Sequence, residues 1–509
     1  MLTQILSAAV QGVDALIVRV EVNLAQGLPG FSVVGLPEGA VREGRERVTA
    51  ALQNVGRALP LRRITVNLAP ADVRKEGSAF DLPIALGLLG ALGEVDESRL
   101  AGCAFLGELG LDGTLRPVRG ALAVASACQA AGVHTLVLPG ENALEAATVG
   151  GLRVLGAHHL EGVIAHLRGG APLPEVTVDA QALLREWPTG LADLAEVRGQ
   201  AYVKRALEVA AAGGHNLLML GPPGSGKTMI ARRLPGILPP LTLDEALDLT
   251  RVHSVAGRLE PGVPLLTARP FRAPHHTVSD AGLVGGGNPA RPGEVSLAHH
   301  GVLFLDELPE FRRHVLEVLR QPLEDGFVSL SRVHTSVRYP ARFMLVAAMN
   351  PCRCGHHGDG TDRCTCDPSM VARYRGRISG PLMDRIDLHV EVGPVAFGDL
   401  AGEPSGEGSA EVRRRVLRAR EVQRDRLQGE DGVYANSQMG PAQIRRFCRA
   451  TPDVARLLQR SLQSMGLSAR AYHRILKVAR TVADLDGSDA IRHHHAAEAV
   501  RYRLVDREA

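Results

Sequence analysis

The sequence predicts an α/β protein of three domains: an N-terminal α+β domain over residues 1–170, an αβα core over 191–395, and a helical domain over 396–509. Three observations carry this. An octapeptide with the phosphate-loop pattern lies between an apolar run and a helix-like stretch. Strand-like and helix-like segments alternate before it, and arginine and apolar residues recur at helical spacing after it.

At 509 residues the chain exceeds one ordinary hydrophobic core. Its 45% hydrophobic and 22% charged content is that of a globular protein. A net charge of +3 excludes a global basic field, so a nucleic-acid surface has to be local. Met1-Leu2-Thr3-Gln4-Ile5-Leu6 has no basic region before an apolar one, so no signal peptide is expected. The longest apolar stretch, about Leu82 to Leu92, is too short for a bilayer. The expectation is a cytoplasmic protein without a membrane partner.

In the first domain, Ala15 to Val22 and Arg63 to Leu68 read as strands, and Gly44 to Gly56 between them has helical periodicity. Residues 171–190, with Pro, Gly and the single tryptophan Trp187, read as a linker.

The core opens on Leu217-Leu218-Met219-Leu220, a strand-like run, followed by Gly221-Pro222-Pro223-Gly224-Ser225-Gly226-Lys227-Thr228. The glycines let backbone N–H groups converge on phosphate oxygens at a helix N-terminus. Lys227 is placed to reach the β- and γ-phosphates of ATP, and the Thr228 hydroxyl to hold Mg²⁺. Of 58 Lys and Arg residues only four are lysine, and one of them stands here, where a compact ammonium is needed. Val302-Leu303-Phe304-Leu305-Asp306-Glu307 is an apolar strand ending in two carboxylates. Asp306 is assigned to Mg²⁺ and Glu307 to the attacking water. Phe343 to Met349 is a further strand, ending at Asn350-Pro351. Asn350 can polarise the same water, although Asn-Pro also makes an ordinary turn. Arg385, in Leu382-Met383-Asp384-Arg385-Ile386-Asp387, is either an arginine finger for a neighbouring subunit or an arginine paired with Asp384 or Asp387.

Cys352-x-Cys354 and Cys364-x-Cys366 flank a Gly-rich loop. Four thiolates suit a tetrahedral structural zinc ion, with His356 or His357 able to replace one ligand. Cys103, Cys128 and Cys448 sit among apolar neighbours and read as core. Val328 to Tyr339 alternates as strands do. Period two puts Arg332, His334 and Arg338 on one face, as contacts to DNA phosphates or as a solvated basic face. Aromatic residues are only 3% of the chain, so base stacking does not dominate. Gly398 to Ser409 reads as a flexible connection, Arg413 to Leu427 and Arg470 to Leu485 as helices, and His493-His494-His495 as a solvated helix face.

The order of phosphate loop, Leu-Asp-Glu, Ala-Met-Asn-Pro and Leu-Met-Asp-Arg resembles the AAA+ ATPases of the magnesium-chelatase and MCM-like branch. Arg269 to His276, Gly285-Gly286-Gly287 and Arg291 to Gly301 look like the insert of that branch. Taken whole, the chain resembles the ComM/YifB-like family of bacterial natural transformation. The resemblance implies a homo-hexameric ring with ATP between subunits, Arg385 as a trans-acting finger and Arg470 as a lid arginine touching the γ-phosphate. It also implies that the Val328–Tyr339 segment is a hairpin aimed into the ring pore. Single-stranded and branched DNA, and recombination proteins, are the partners it implies.

Lys75-Glu76-Gly77-Ser78-Ala79-Phe80-Asp81-Leu82 resembles the proteolytic domain of Lon, of the ribosomal S5 domain 2-like fold. The Lon nucleophile aligns with Ala79 and its lysine falls near Leu122, so the Ser–Lys dyad is missing. The similar domain of the RadA branch-migration protein also lacks it. A structural or DNA-contacting role is expected. The functional expectation is an ATP-driven helicase that migrates branched DNA during homologous recombination. The alternative is a chelatase-like ATPase that remodels a protein partner for metal insertion.

Overall fold

The computed structural model describes residues 1–288, 290–332, 335–395, 406–430, 432–466 and 468–503. His334, the side chain of Arg332 and most of the 398–409 connection lie outside the described residues.

The N-terminal domain is built on an eight-stranded mixed sheet. Its order is Glu175–Val176, Arg153–Ala157, Thr135–Pro139, Cys103–Phe105, Leu2–Gln11, Asp14–Ala25, Arg63–Ala69 and Gly30–Val34. Leu2–Gln11 and Asp14–Ala25 form an antiparallel hairpin, with Ile5 opposite Val20. Period-two alternation sends Val18, Val20, Val22 and Leu24 to one face. There they meet helices Gly39–Asn54 and Asp81–Ala91, the latter buried at every residue. Helix Ala121–Ala130 covers the other face.

The expected linker is more folded than its composition implies. Glu175–Val176 pairs antiparallel with Arg153–Ala157 as an edge strand, and helix Ala180–Arg185 adjoins a cluster that includes Leu241, Leu249 and Leu265 of the core. Two hydrogen-bonded residues suffice to cap a sheet edge, and so short a strand leaves little pattern in the sequence.

The core sheet is five-stranded and parallel throughout. Its order is Phe271–Arg272, Val302–Leu305, Met344–Met349, Leu217–Leu220 and Leu388–Glu391. The three central strands are buried at every residue, as parallel strands covered on both faces are. All five C-terminal ends share one edge, where ligands of open parallel sheets bind.

Helices Ser409–Arg426, Pro441–Phe447, Pro452–Met465, Ala469–Leu485 and His493–Arg501 make up the C-terminal domain. Their apolar faces join one cluster with helix Ala201–Gly213 of the core: Val416, Val478 and Val482 pack with Val203, Leu207 and Ala210. Ser409 belongs to the folded part rather than to a flexible connection. Its Oγ accepts a hydrogen bond from Leu194 N at 2.7 Å. His495 also departs from the expected solvated face. It is 1% exposed, and its Nδ1 accepts from Arg492 N at 2.9 Å, satisfying a donor at the helix start.

The N-terminal and core domains are joined through helix Leu243–Ala256. Ser254 Oγ accepts from Gly120 N at 3.0 Å and donates to Glu145, which also accepts from Leu122 N at 2.8 Å. Burial raises the Glu145 carboxyl above its ordinary pKa.

A candidate nucleotide site and the cysteine cluster beside it

At the C-terminal edge of the core sheet, strand Leu217–Leu220 runs into the glycine loop and helix Lys227–Ala231 follows. Gly224 and Gly226 have φ of +78° and +87°, the left-handed region that a side chain opposes. A Cβ on Gly221 would stand 2.2 Å from the Val392 carbonyl oxygen. The loop is thus tied to the neighbouring strand's exit by the absence of a side chain.

Lys227 is buried beneath this loop. Its Nζ donates to Gly221 O at 2.7 Å, Pro222 O at 2.9 Å and Asn350 Oδ1 at 3.2 Å. Burial lowers its pKa, against the pull of Asp306 and Glu307. Thr228 Oγ1 donates to Asp306 Oδ2 at 2.5 Å. The fold therefore brings Lys227, Thr228, Asp306 and Asn350, from three strand ends, together as two hydrogen-bonded pairs on adjacent residues of the loop. Ser225 Oγ is buried in the loop without a hydrogen-bond partner. An orphaned hydroxyl among open glycines fits a phosphate-bearing ligand, and the Thr228–Asp306 oxygen pair fits Mg²⁺.

Glu307 sits beside this group in a left-handed conformation, φ 52° and ψ 47°, with its side chain half exposed. Its carboxylate lies 3.5 Å from His276 Nδ1. Sequence reasoning missed His276 as a site residue. It follows the short edge strand Phe271–Arg272, whose C-terminal end lies on the same edge, and the only sequence signal was its place in the Arg269–His276 segment.

Arg385 is elsewhere. It precedes strand Leu388–Glu391, at the N-terminal edge of the sheet, and so does not share an edge with Lys227. It pairs with Glu324 and donates to Pro381 O at 2.6 Å. The alternative pairing with Asp384 or Asp387 is not the one found. Asp387 is instead held by Arg474 at 2.6 Å and lies 3.1 Å from His215 Nδ1. Those neighbours keep its carboxyl below the ordinary range despite burial. Arg269, Arg342, Arg385, Arg420, Arg474 and Lys477 line a cavity of about 480 Å³ at this edge. Arg470 is exposed in the first turn of helix Ala469–Leu485, one turn before Arg474. The helix that carries it thus faces the Arg385 edge.

The cysteines converge as the spacing predicts. Cys352 Sγ is 3.3 Å from Cys354 Sγ and 3.9 Å from Cys364 Sγ, and Cys354 to Cys364 is 3.7 Å. With Cys366 all four sulfurs lie within 4.8 Å of one another. Sulfurs about 2.3 Å from a tetrahedral zinc are separated by distances of this order. His356 is engaged with Asp359 at 2.9 Å.

Strands Phe327–Arg332 and Thr335–Pro340 form the expected hairpin. Its register corrects the one-face reading. Arg332 opposes Thr335 and Arg338 opposes Ser329, so positions 332 and 338 fall on opposite faces. Strand alternation does not continue through a turn. Arg338 lies over the Phe327 ring, 4.6 Å from its centroid.

In the N-terminal domain, Ser78 Oγ donates to Glu108 and Lys75 Nζ to Pro70 O. Each of the two groups thus has a partner other than the other.

The chain is 47% identical to competence protein ComM of Haemophilus influenzae, over 98% of this chain and 97% of that protein. The chain belongs to the ComM/YifB family. It is also 45% identical to YifB of Escherichia coli, over 98% of this chain and 96% of that protein. Residues 193–400 match the family described as magnesium chelatase, subunit ChlI, residues 20–142 the subunit ChlI family, and 406–503 the ChlI C-terminal family. ChlI of Chlorella vulgaris is 25% identical over 36% of this chain and 52% of its own length. The group of Lys227, Thr228, Asp306 and Asn350 thus sits within a magnesium-chelatase-like AAA+ module. No described helix is long and apolar enough to cross a membrane.

Proposed function

We propose that this family member is an ATP-driven hexameric DNA motor, a branch-migration helicase that aids integration of transforming DNA. The observation that supports it most is the separation of Arg385 from its own phosphate loop, at opposite edges of one parallel sheet. A site that needs both is completed by a second copy, whose cationic cavity meets this chain's phosphate loop. Lys227 and the loop amides bind the triphosphate, Thr228 and Asp306 hold Mg²⁺, and Glu307 and Asn350 orient water. When bound, Mg²⁺ neutralises phosphate charge. Arg385, with Arg470 on the same face of the assembly, supplies positive charge to the neighbour's γ-phosphate. Arg338 on the hairpin contacts DNA phosphates in the pore. The four cysteines hold a structural zinc ion.

The name of the Haemophilus relative supports a role in competence, and the ChlI matches support the second reading, remodelling of a protein partner for metal insertion. Purified protein, ATP and a synthetic three- or four-strand junction separate them. Junction-stimulated ATPase with ATP-dependent strand exchange is expected. ATPase indifferent to DNA, with no exchange, would overturn the motor.

A further inference from the structure

The cysteine cluster is packed directly against the phosphate loop. Gly355 follows Cys354 with φ +89°, and a Cβ on it would stand 2.5 Å from Cδ and 2.6 Å from Cγ of Pro223. The backbone of the cysteine loop therefore rests on the ring of a phosphate-loop residue, at a distance only glycine permits. Gly355 N donates to Cys352 O at 3.1 Å, which closes a turn around the thiols. The second link runs along the chain. Cys352 comes two residues after Asn350, whose Oδ1 accepts from Lys227 Nζ. The cluster thus reaches the phosphate loop at two points, Pro223 through Gly355 and Lys227 through Asn350.

Residues 351–367 contain no helix or strand, and helix Pro368–Arg375 begins only after Cys366. A segment of this kind owes its shape to whatever ties its side chains together, and metal binding in such loops is folding free energy. Without a cation, the four thiols are joined to one another by weak S–H···S contacts, a much looser tie than metal–thiolate bonds.

We propose that zinc on Cys352, Cys354, Cys364 and Cys366 sets the affinity of the phosphate loop for ATP. With the ion bound, Gly355 is fixed against Pro223 and the loop is ordered before nucleotide arrives. Without it the loop has to be ordered on binding, which weakens affinity. The inference rests on the zinc reading above.

The test uses the full-length protein, a fluorescent ATP analogue with Mg²⁺, and metal analysis. Zinc is stripped by a chelator under reducing conditions, the chelator is removed, and binding is measured before and after zinc is restored. A loss of about tenfold in affinity on stripping, reversed by zinc, is expected for a loop that must be ordered on binding. Gly355→Ala keeps all four thiols, so it should retain zinc and still bind the analogue more weakly. Cys364→Ser should lose both zinc and affinity. If that variant does not fold, the stripped protein and Gly355→Ala decide. Zinc present but affinity unchanged on stripping overturns the coupling and leaves the zinc reading standing. Protein that neither carries nor takes up zinc overturns both.

Discussion

Arg385 and Glu324 form an ion pair within one chain, and the Arg385 side chain is only 7% exposed while that of Glu324 is 56% exposed. Glu324 lies on helix Arg320–Asp325, directly before the hairpin that begins at Phe327. A finger that serves a neighbour has to leave this carboxylate. Glu324→Gln keeps the shape and removes the charge, so hydrolysis by assembled protein without DNA should rise several-fold. Steady-state ATPase at fixed ring concentration checks this. A fall in rate with intact rings would mean that Glu324 holds Arg385 in its working position.

Arg385→Ala should bind ATP yet fail to hydrolyse it, since a trans-acting arginine is worth on the order of a thousandfold in rate. Mixing it with Lys227→Ala should restore part of the activity, because some mixed interfaces pair an intact loop with an intact finger. Sizing of the variants has to show rings first. Rings that exchange subunits and stay inactive would rule out the trans role.

Lys227→Ala and Glu307→Gln should fail differently. The lysine touches the loop in the ground state, through Gly221 and Pro222. The glutamate makes no hydrogen bond to that loop and faces His276. Lys227→Ala should lose nucleotide affinity, whereas Glu307→Gln should bind ATP and turn it over very slowly. Equal loss of binding, measured by calorimetry, would contradict the division of roles.

Much of the grouping at the candidate site was legible because its parts are local. Gly221 to Thr228, Asp306-Glu307 and Asn350 each end an apolar strand, and a parallel sheet sends such ends to one edge. Long-range pairings were not legible. The partner of Arg385 is 61 positions away in sequence, and nearer carboxylates at 384 and 387 offered a false choice. The contact of Gly355 with Pro223 leaves no trace in spacing, since a glycine before a histidine reads as an ordinary turn. The two faces of the hairpin were misread because alternation stops wherever the chain reverses. His495 looked solvated because three consecutive histidines are polar, yet one position of any helical triplet can face inward.

Acid should weaken the fold through His300. Burial pushes its imidazole down to about 4; Glu245 opposes this, and Arg269 and Arg342 reinforce it. Burial also holds His299 well below its usual value of 6.5. Both rings are neutral when folded and take up protons more readily when unfolded. Their contribution is complete above pH 6.5 and is lost as pH falls from 6.5 towards 4. His300 has φ 55°, a conformation that asparagine tolerates. Thermal melts of His300→Asn should therefore fold and show a shallower loss of Tm across that window. An unchanged slope would place the acid sensitivity elsewhere.

Helix Leu243–Ala256 starts at a capping box, where Glu245 holds Arg269 of the core at 2.8 Å, and finishes beneath Gly120 and Glu145 of the N-terminal domain. One rigid rod therefore has an end in each domain. The contact at its far end is buried and polar, so sliding there would strand the Gly120 amide and the Ser254 hydroxyl away from water and take one donor from Glu145, which keeps Leu122 N. The N-terminal sheet is thus held to the core by packing and hydrogen bonds as well as by the chain that connects them. Turning the N-terminal sheet against the core would therefore have to break hydrogen bonds at Ser254 that water does not reach.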